Sequence, residues 1–256
     1  MKRKVERISS DLSDRLGGLA GVDSITLAEI VGDDLIDPYF FFSLDVYYRG
    51  SMPVEEERRK LFADTGAFES SGVAAKDRFL IDDLPVRIEY KDIARIDDIL
   101  GKIERNLWVF RQTGTYMFYR LENGSVLSAK SDWIDKTRIM LKQLPDSFWT
   151  LLSGSSRATM EHYLSDYAAA VVRQDQLFSL ISAAGFIKSV CSTLFILNHK
   201  FEPSGRLLYE RVDSLPLLPE HFKARFESFL SDDPDFTPAR KKEIAEHIAA
   251  SIFRMT

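Results

Sequence analysis

The sequence predicts an α+β fold: a mixed sheet with flanking helices in the N-terminal part, followed by an all-helical C-terminal part. Three observations carry that prediction. Strand and helix periodicities alternate over residues 1–131, whereas residues 132–256 show helical spacing only, and this places a domain boundary between them. One segment, Tyr39–Tyr48 (YFFFSLDVYY), is almost continuously apolar and aromatic, as in a strand covered on both faces. The 256 residues are 45% hydrophobic with 18 Phe, enough for a sizeable core without disulfides or a structural metal.

Each element follows from local pattern. Val5, Ile8, Leu12 and Leu16 recur at three- and four-residue steps, a helix over 3–16 closed by Gly17-Gly18. Val22–Ile30 alternates and reads as a strand. After Gly50-Ser51-Met52-Pro53, the run Glu55-Glu56-Glu57-Arg58-Arg59-Lys60 sets acids early and bases late, as the helix macrodipole favours. Its bases are expected on the exposed end of that helix. Lys76-Asp77-Arg78 reads as a solvated loop, and Pro85–Tyr90 (PVRIEY) as an alternating strand. Ile93, Ile96, Leu100, Ile103, Leu107 and Phe110 mark one long helix. Tyr116–Leu121 and Val126–Ala129 flank Asn123-Gly124, the signal of a tight hairpin.

Beyond residue 132, helical faces are set by Met160, Tyr163, Leu164, Tyr167 and Val171, then by Leu177 through Phe195, then by Phe222, Phe226 and Phe229. Thr237-Pro238 opens a last helix as N-cap and first-turn proline. Leu177–Leu197 carries one charge, Lys188, but its serines and helical spacing suit a buried core helix better than a membrane span.

Charge narrows the function classes. Lys and Arg total 34 against 39 acids, a formal net charge of −5 that argues against a dedicated DNA-binding surface. The single cysteine, Cys191, allows no intramolecular disulfide and no cysteine zinc site. The basic start lacks the apolar stretch of a signal peptide, so a cytoplasmic location without membrane attachment is expected. The oligomeric state is not legible.

Asp45 is the first candidate for chemistry. In its strand it shares a face with Ser43 and Tyr47, opposite Phe42, Leu44 and Val46. A carboxylate there must be paired, hydrogen-bonded or metal-bound. Glu89 repeats the situation beside Arg87, and neighbouring strands would bring the two acids together. Two adjacent carboxylates need a cation or a proton between them, and Mg²⁺ takes hard oxygen ligands. The competing reading pairs Asp45 with Arg87 or Arg49, and Glu89 with Lys91. A third makes the two acids an acid/base pair in an aromatic-lined pocket.

Three segments carry a family resemblance: DPYFFFSLDVYYRG (37–50), PVRIEYKD (85–92) and LFILNHKFEPSGRLLYERVDSLPLLP (194–219). Together they resemble the DNA polymerase β-like nucleotidyltransferase superfamily, in particular its DUF4037 branch, beside the aminoglycoside nucleotidyltransferases. The resemblance implies a nucleotidyltransferase-like N-terminal domain. It also implies an NTP–Mg²⁺ complex bound in an interdomain cleft, and nucleotidyl transfer to a small-molecule or protein acceptor. Asp45 and Glu89 would be the catalytic, metal-holding carboxylates. Ser43, Lys76 and Arg206 would face the nucleotide. The sequence departs from the family pattern at two places. Ser43 stands where the first aspartate belongs, and Leu27-Ala28-Glu29 replaces the phosphate-cradling Gly-Ser. Asp37, its approach set by Pro38, is the acid that would supply the missing ligand, with Asp33 and Asp34 as alternatives. The departures equally imply an inactive relative kept as a nucleotide-binding or protein-interaction module.

The remaining polar residues have structural readings. Asn198 suits a helix C-cap and Cys191 falls on an apolar stripe. His162, His199, His221 and His247 stand at no metal-ligand spacing.

Overall fold

A computed structural model describes residues 2–28, 42–73 and 75–255. In chain order the elements are α1 (Lys2–Gly17), β1 (Val22–Leu27), β2 (Phe42–Tyr48), α2 (Glu55–Leu61), β3 (Gly66–Ser71), β4 (Lys76–Ile81), β5 (Leu84–Asp92), α3 (Ile93–Gly101), α4 (Leu107–Thr113), α5 (Tyr116–Asn123), β6 (Ser125–Ala129), α6 (Trp133–Lys142), α7 (Asp146–Arg173), α8 (Gln176–Leu197), α9 (Leu208–Asp213), α10 (Phe222–Leu230) and α11 (Pro238–Phe253). The α+β reading is borne out. The calls on Glu29, Ile30 and Tyr39–Phe41, and those on Asp33, Asp34 and Asp37, lie outside the described residues.

The strands form one mixed sheet, ordered β3-β4-β5-β2-β1-β6. β2 and β5 run parallel, and the other described pairings are antiparallel. Alternation divides the sheet into two faces. Phe42, Leu44 and Val46 of β2 lie level with Val86, Ile88 and Tyr90 of β5, and Ile8, Leu12 and Leu16 of α1 belong to the same buried cluster. That face is the core. The opposite face is polar and holds Ser43, Asp45 and Tyr47 level with Arg87, Glu89 and Lys91.

The chain divides into two compact units: Met1–Asn106 with Arg120–Gln143, and Leu107–Tyr119 with Leu144–Thr256. This partition cuts the chain differently from a single division at 131/132. Phe110 and Phe118 stack with centroids 4.6 Å apart, and Phe110 meets Phe148 of α7 edge-on at 4.9 Å, so α4 and the start of α5 go with the helical unit. Trp133 Nε1 donates to Asp97 at 2.8 Å, and Arg138 Nε donates to the Leu121 carbonyl at 2.9 Å, so α6 goes with the sheet. In the helical unit α7 and α8 pack along one another. Gly185 permits it, because a Cβ there would sit 2.3 Å from the Tyr163 ring. Phe186, Val190 and Leu194 of α8 are buried with Phe226, Phe229, Ile248 and Ile252. Among the described residues α8 is the one helix long and apolar enough to cross a membrane, and half of that stretch is buried inside the protein.

Four expectations are corrected. Tyr116–Leu121 is not the first strand of a hairpin but helix α5. Phe118 and Leu121, three apart, are both buried, and tertiary packing of that stripe overrides the β-propensity of the aromatic run. Gly124 ends this helix instead of turning a hairpin: its N–H donates to the Arg120 carbonyl at 2.8 Å, and a Cβ would lie 2.7 Å from that oxygen. Lys76-Asp77-Arg78 is the start of strand β4, with Asp77 and Phe79 turned inward. The long helix over 93–110 is two, α3 and α4. Asn106 Nδ2 donates at 2.9 Å to the Asp98 carbonyl, which the break leaves without its helical partner. Finally, Arg58 is not on an exposed helix end; it is 2% exposed.

Candidate functional site

The polar face of the sheet collects most of the residues singled out from sequence. Parallel pairing of β2 with β5 sets Asp45 directly level with Glu89, and antiparallel pairing of β4 with β5 sets Lys76 level with Glu89. Side chains level with one another on one face of a sheet are close enough to interact. Helix α5 then contributes Arg120, 3% exposed.

Asp45 is 1% exposed and held on both oxygens. Arg120 grips it bidentately, Nη2 donating to Oδ1 at 2.7 Å and Nε to Oδ2 at 2.8 Å. Lys91 Nζ lies 2.7 Å from Oδ2, and the Tyr47 hydroxyl stands 3.5 Å from the same oxygen. Arg120 Nη2 also donates to Ser43 Oγ at 2.8 Å, which gives this buried hydroxyl its partner. Burial alone pushes the Asp45 carboxyl up. The charges and hydrogen bonds of Lys91 and Arg120 reverse that and hold it below the ordinary carboxylate range. Burial and the Asp45 charge push the Tyr47 phenol up, so it stays a donor.

Glu89 is more open, with 18% of its side chain exposed. Its Oε1 stands 3.4 Å from Lys76 Nζ, 3.4 Å from Arg87 Nε and 3.7 Å from Arg120 Nη1. Lys76, Arg87, Lys91 and Arg120 thus surround the two carboxylates with cations. The expected ion pairing is present but with other partners. Lys91 belongs to Asp45 rather than Glu89, and Arg49 pairs with Asp23 at 3.2 Å.

Among the described residues, Asp45 and Glu89 are met by cations of the protein rather than arranged as a Mg²⁺ site, and Asp37, the third expected ligand, lies outside them. Each carboxylate is already met by cations, and among the described residues no group of three or more His, Cys, Asp or Glu could hold a metal ion. Of the residues expected to face a nucleotide, Ser43 and Lys76 are at this face. Arg206 is exposed between α8 and α9, in the helical unit. Cys191 is core, its thiol pushed up to about 12 by burial and the nearby Glu202 charge. Asn198 caps α8, donating to the Leu194 carbonyl at 2.8 Å.

Sequence reading missed Arg120 and the role of Lys91. Lys91 was legible as the residue two beyond Glu89, hence on its face. Arg120 was hidden by the strand reading of its segment. Elsewhere in the same unit, Arg7, Arg15, Asp64 and Asp82 line a cavity of about 570 Å³, but their charges satisfy each other, Arg7 with Asp82 and Arg15 with Asp64, both at 2.7 Å.

Comparisons with known proteins match part of the chain to a family model. Residues 101–206 match the family model described as "Domain of unknown function (DUF4037)". The match contains Arg120 and Arg206; Asp45, Lys76, Glu89 and Lys91 precede it. No curated protein matches the chain. A solved structure similar to this one is the crystal structure of a nucleotidyltransferase-like protein from Exiguobacterium sibiricum 255-15 at 1.90 Å resolution, with TM-score 0.48 and 11% identity over 93% of this chain and 72% of that one. The DUF4037 part of the resemblance read from the sequence is thereby borne out: over residues 101–206 the chain is similar to that family.

Proposed function

We propose that the polar sheet face binds a phosphate-bearing ligand, a nucleotide foremost, without a catalytic metal, so that a nucleotidyltransferase-like scaffold serves as a binding module. One observation carries this reading: both oxygens of Asp45 are held by the protein's own Arg120 and Lys91. A metal-dependent transferase needs those oxygens for its ions. Here the two inner cations neutralise Asp45, and Lys76 and Arg87, with side chains 35% and 21% exposed beside Glu89, stand where a ligand phosphate would meet them. Arginine and lysine are the ordinary partners of phosphate. The competing reading is nucleotidyl transfer from an NTP–Mg²⁺ complex by Asp45 and Glu89 to an acceptor. It rests on the alignment of those two acids and requires both to give up their ion pairs.

Thermal unfolding with each of the four NTPs, in EDTA and in Mg²⁺ or Mn²⁺, separates the two. A ligand at 100 times its Kd stabilises by about 2.7 kcal/mol, readily seen as a midpoint shift. The expected result is a shift in EDTA at least as large as with metal, reduced by Arg87→Gln. A shift that appears only with metal and is lost in Asp45→Asn would overturn the proposal in favour of transfer. No shift with any nucleotide would overturn it in favour of a protein-interaction module.

A further inference from the structure

The cavity of about 570 Å³ in the sheet unit opens between α1, the turn after α2 and the β4–β5 hairpin, and none of its lining residues belongs to the Asp45 network. Its size falls within the range of small-molecule pockets, about 300–1,000 Å³. Ile8, Leu80 and Ile81 give it an apolar wall. Leu80 is 38% exposed, and Gly66 leaves it so: a Cβ there would lie against it, 3.6 Å from the Leu80 Cβ. Around this wall stand both signs of charge, Arg7, Asp11 and Arg15 from α1, Asp64 after α2, and Asp82 and Asp83 at the hairpin tip. A pocket of that composition suits neither a plain hydrocarbon nor a bare ion.

The ion pairs at the rim leave binding capacity open. Arg7 meets Asp82 through one nitrogen, Nη2 to Oδ2 at 2.7 Å, and its side chain is 68% exposed. Lys4 stands outside the lining and donates to the Asp82 carbonyl at 2.8 Å, which helps hold the hairpin tip. Arg15 is shared, 2.7 Å from Asp64 and 3.1 Å from Asp11, so Asp11 is its looser partner, bound through Oδ2 and 47% exposed. A guanidinium has five N–H donors and a carboxylate two oxygens, so Arg7 and Asp11 each keep groups free for a ligand. Four residues apart, they are neighbours on the helix surface, with about 5–6 Å between Cβ atoms. Yet Arg7 turns to the hairpin and Asp11 turns along the helix, so one turn of α1 offers a positive and a negative group side by side, with Ile8 between them in the chain.

We infer that this cavity binds a free α-amino acid with an aliphatic side chain, its carboxylate on Arg7, its ammonium on Asp11 and its side chain against Leu80 and Ile81. Such a molecule carries both charges on the carbon that bears its apolar group, the arrangement this wall complements. The site is separate from the polar sheet face, so the failure of either reading leaves the other standing.

Calorimetric titration of the full chain with L-leucine tests this against three analogues that each lack one of its groups: isocaproate without the ammonium, isoamylamine without the carboxylate, and glycine without the side chain. Leucine is expected to bind about tenfold more tightly than any of them, the worth of one hydrogen bond to a charged group. Arg7→Gln is expected to weaken leucine and isocaproate about tenfold and to leave isoamylamine unchanged, whereas Asp11→Asn weakens leucine and isoamylamine and leaves isocaproate unchanged. Both positions are exposed, and urea midpoints confirm that the variants are folded. Isoamylamine binding as tightly as leucine overturns the amino acid in favour of a simple cation. Leucine binding that neither variant changes lies elsewhere on the protein and overturns the proposal, as does the absence of leucine binding to wild type.

Discussion

Two buried ion-pair clusters sit on opposite faces of the same sheet, and their difference separates a structural device from a candidate functional one. On the core face Arg58 and Asp77 are 2% and 0% exposed and pair directly. Arg58 Nε donates to the Pro53 carbonyl at 3.0 Å, its guanidinium lies 4.8 Å from the centre of the Tyr90 ring, and the Tyr90 hydroxyl donates to Asp77 at 2.9 Å. Burial and the Asp77 charge push the Tyr90 phenol up, which keeps that proton in place. One cation balances one acid, and Phe62, Phe79 and Ile88 belong to the surrounding apolar cluster. On the polar face, the Asp45 cluster continues through Arg120 to Glu89, Lys76 and Arg87 and ends in partly exposed groups. The first is a closed pair inside the core; the second is a network that reaches partly exposed groups.

The largest effect is expected from the closed cluster. Asp77→Ala strands a buried guanidinium and should lower stability by about 3–5 kcal/mol, read as a urea midpoint shift. Asp45→Ala should fall at or below the lower end, about 3 kcal/mol, because Glu89 remains beside Arg120 and Lys91 to share their charge. Equal losses for the two would erase the distinction between the faces. Tyr90→Phe removes a hydrogen bond to a charged group and should lose about 1.5–3 kcal/mol, leaving any nucleotide-induced shift intact. Glu89→Gln should change stability by less than about 1 kcal/mol, since its pairs are long and partly exposed.

Acid sharpens the same contrast. Asp45 has a folded carboxyl value below that of an unfolded aspartate, about 3.9. Its contribution is complete above that unfolded value and is lost as pH falls through the lower folded one. Wild type should therefore lose stability relative to Asp45→Asn only below about pH 4. Urea unfolding of both proteins from pH 7 down to pH 3 gives this difference directly. A difference already closing near pH 6 would mean that Lys91 and Arg120 do not hold the carboxylate.

Much of the polar face was legible in the sequence. Period-two alternation set Ser43, Asp45 and Tyr47 against Phe42, Leu44 and Val46, and Glu89 against Val86 and Ile88, because in a strand one buried face dictates the direction of the other. The juxtaposition of Asp45 with Glu89 followed once the two strands were taken as neighbours, and the register confirms it. The partners were not legible. Arg58 looked like the basic end of an amphipathic helix until α2 met Asp77, and Lys76-Asp77-Arg78 looked like a loop until β4 paired with β5.

The sequence by itself determined the α+β class, the strand carrying Asp45 and the helical character of the second half, all encoded in local periodicity. Only the tertiary structure decided that Tyr116–Asn123 is a helix, that Arg120 reaches Asp45 across 75 residues, and that cations stand where metal ions were expected. The physical reason is that an ion pair is settled by which elements meet, and burial makes that meeting decisive: inside the protein a carboxylate must be matched by whatever cation the fold delivers.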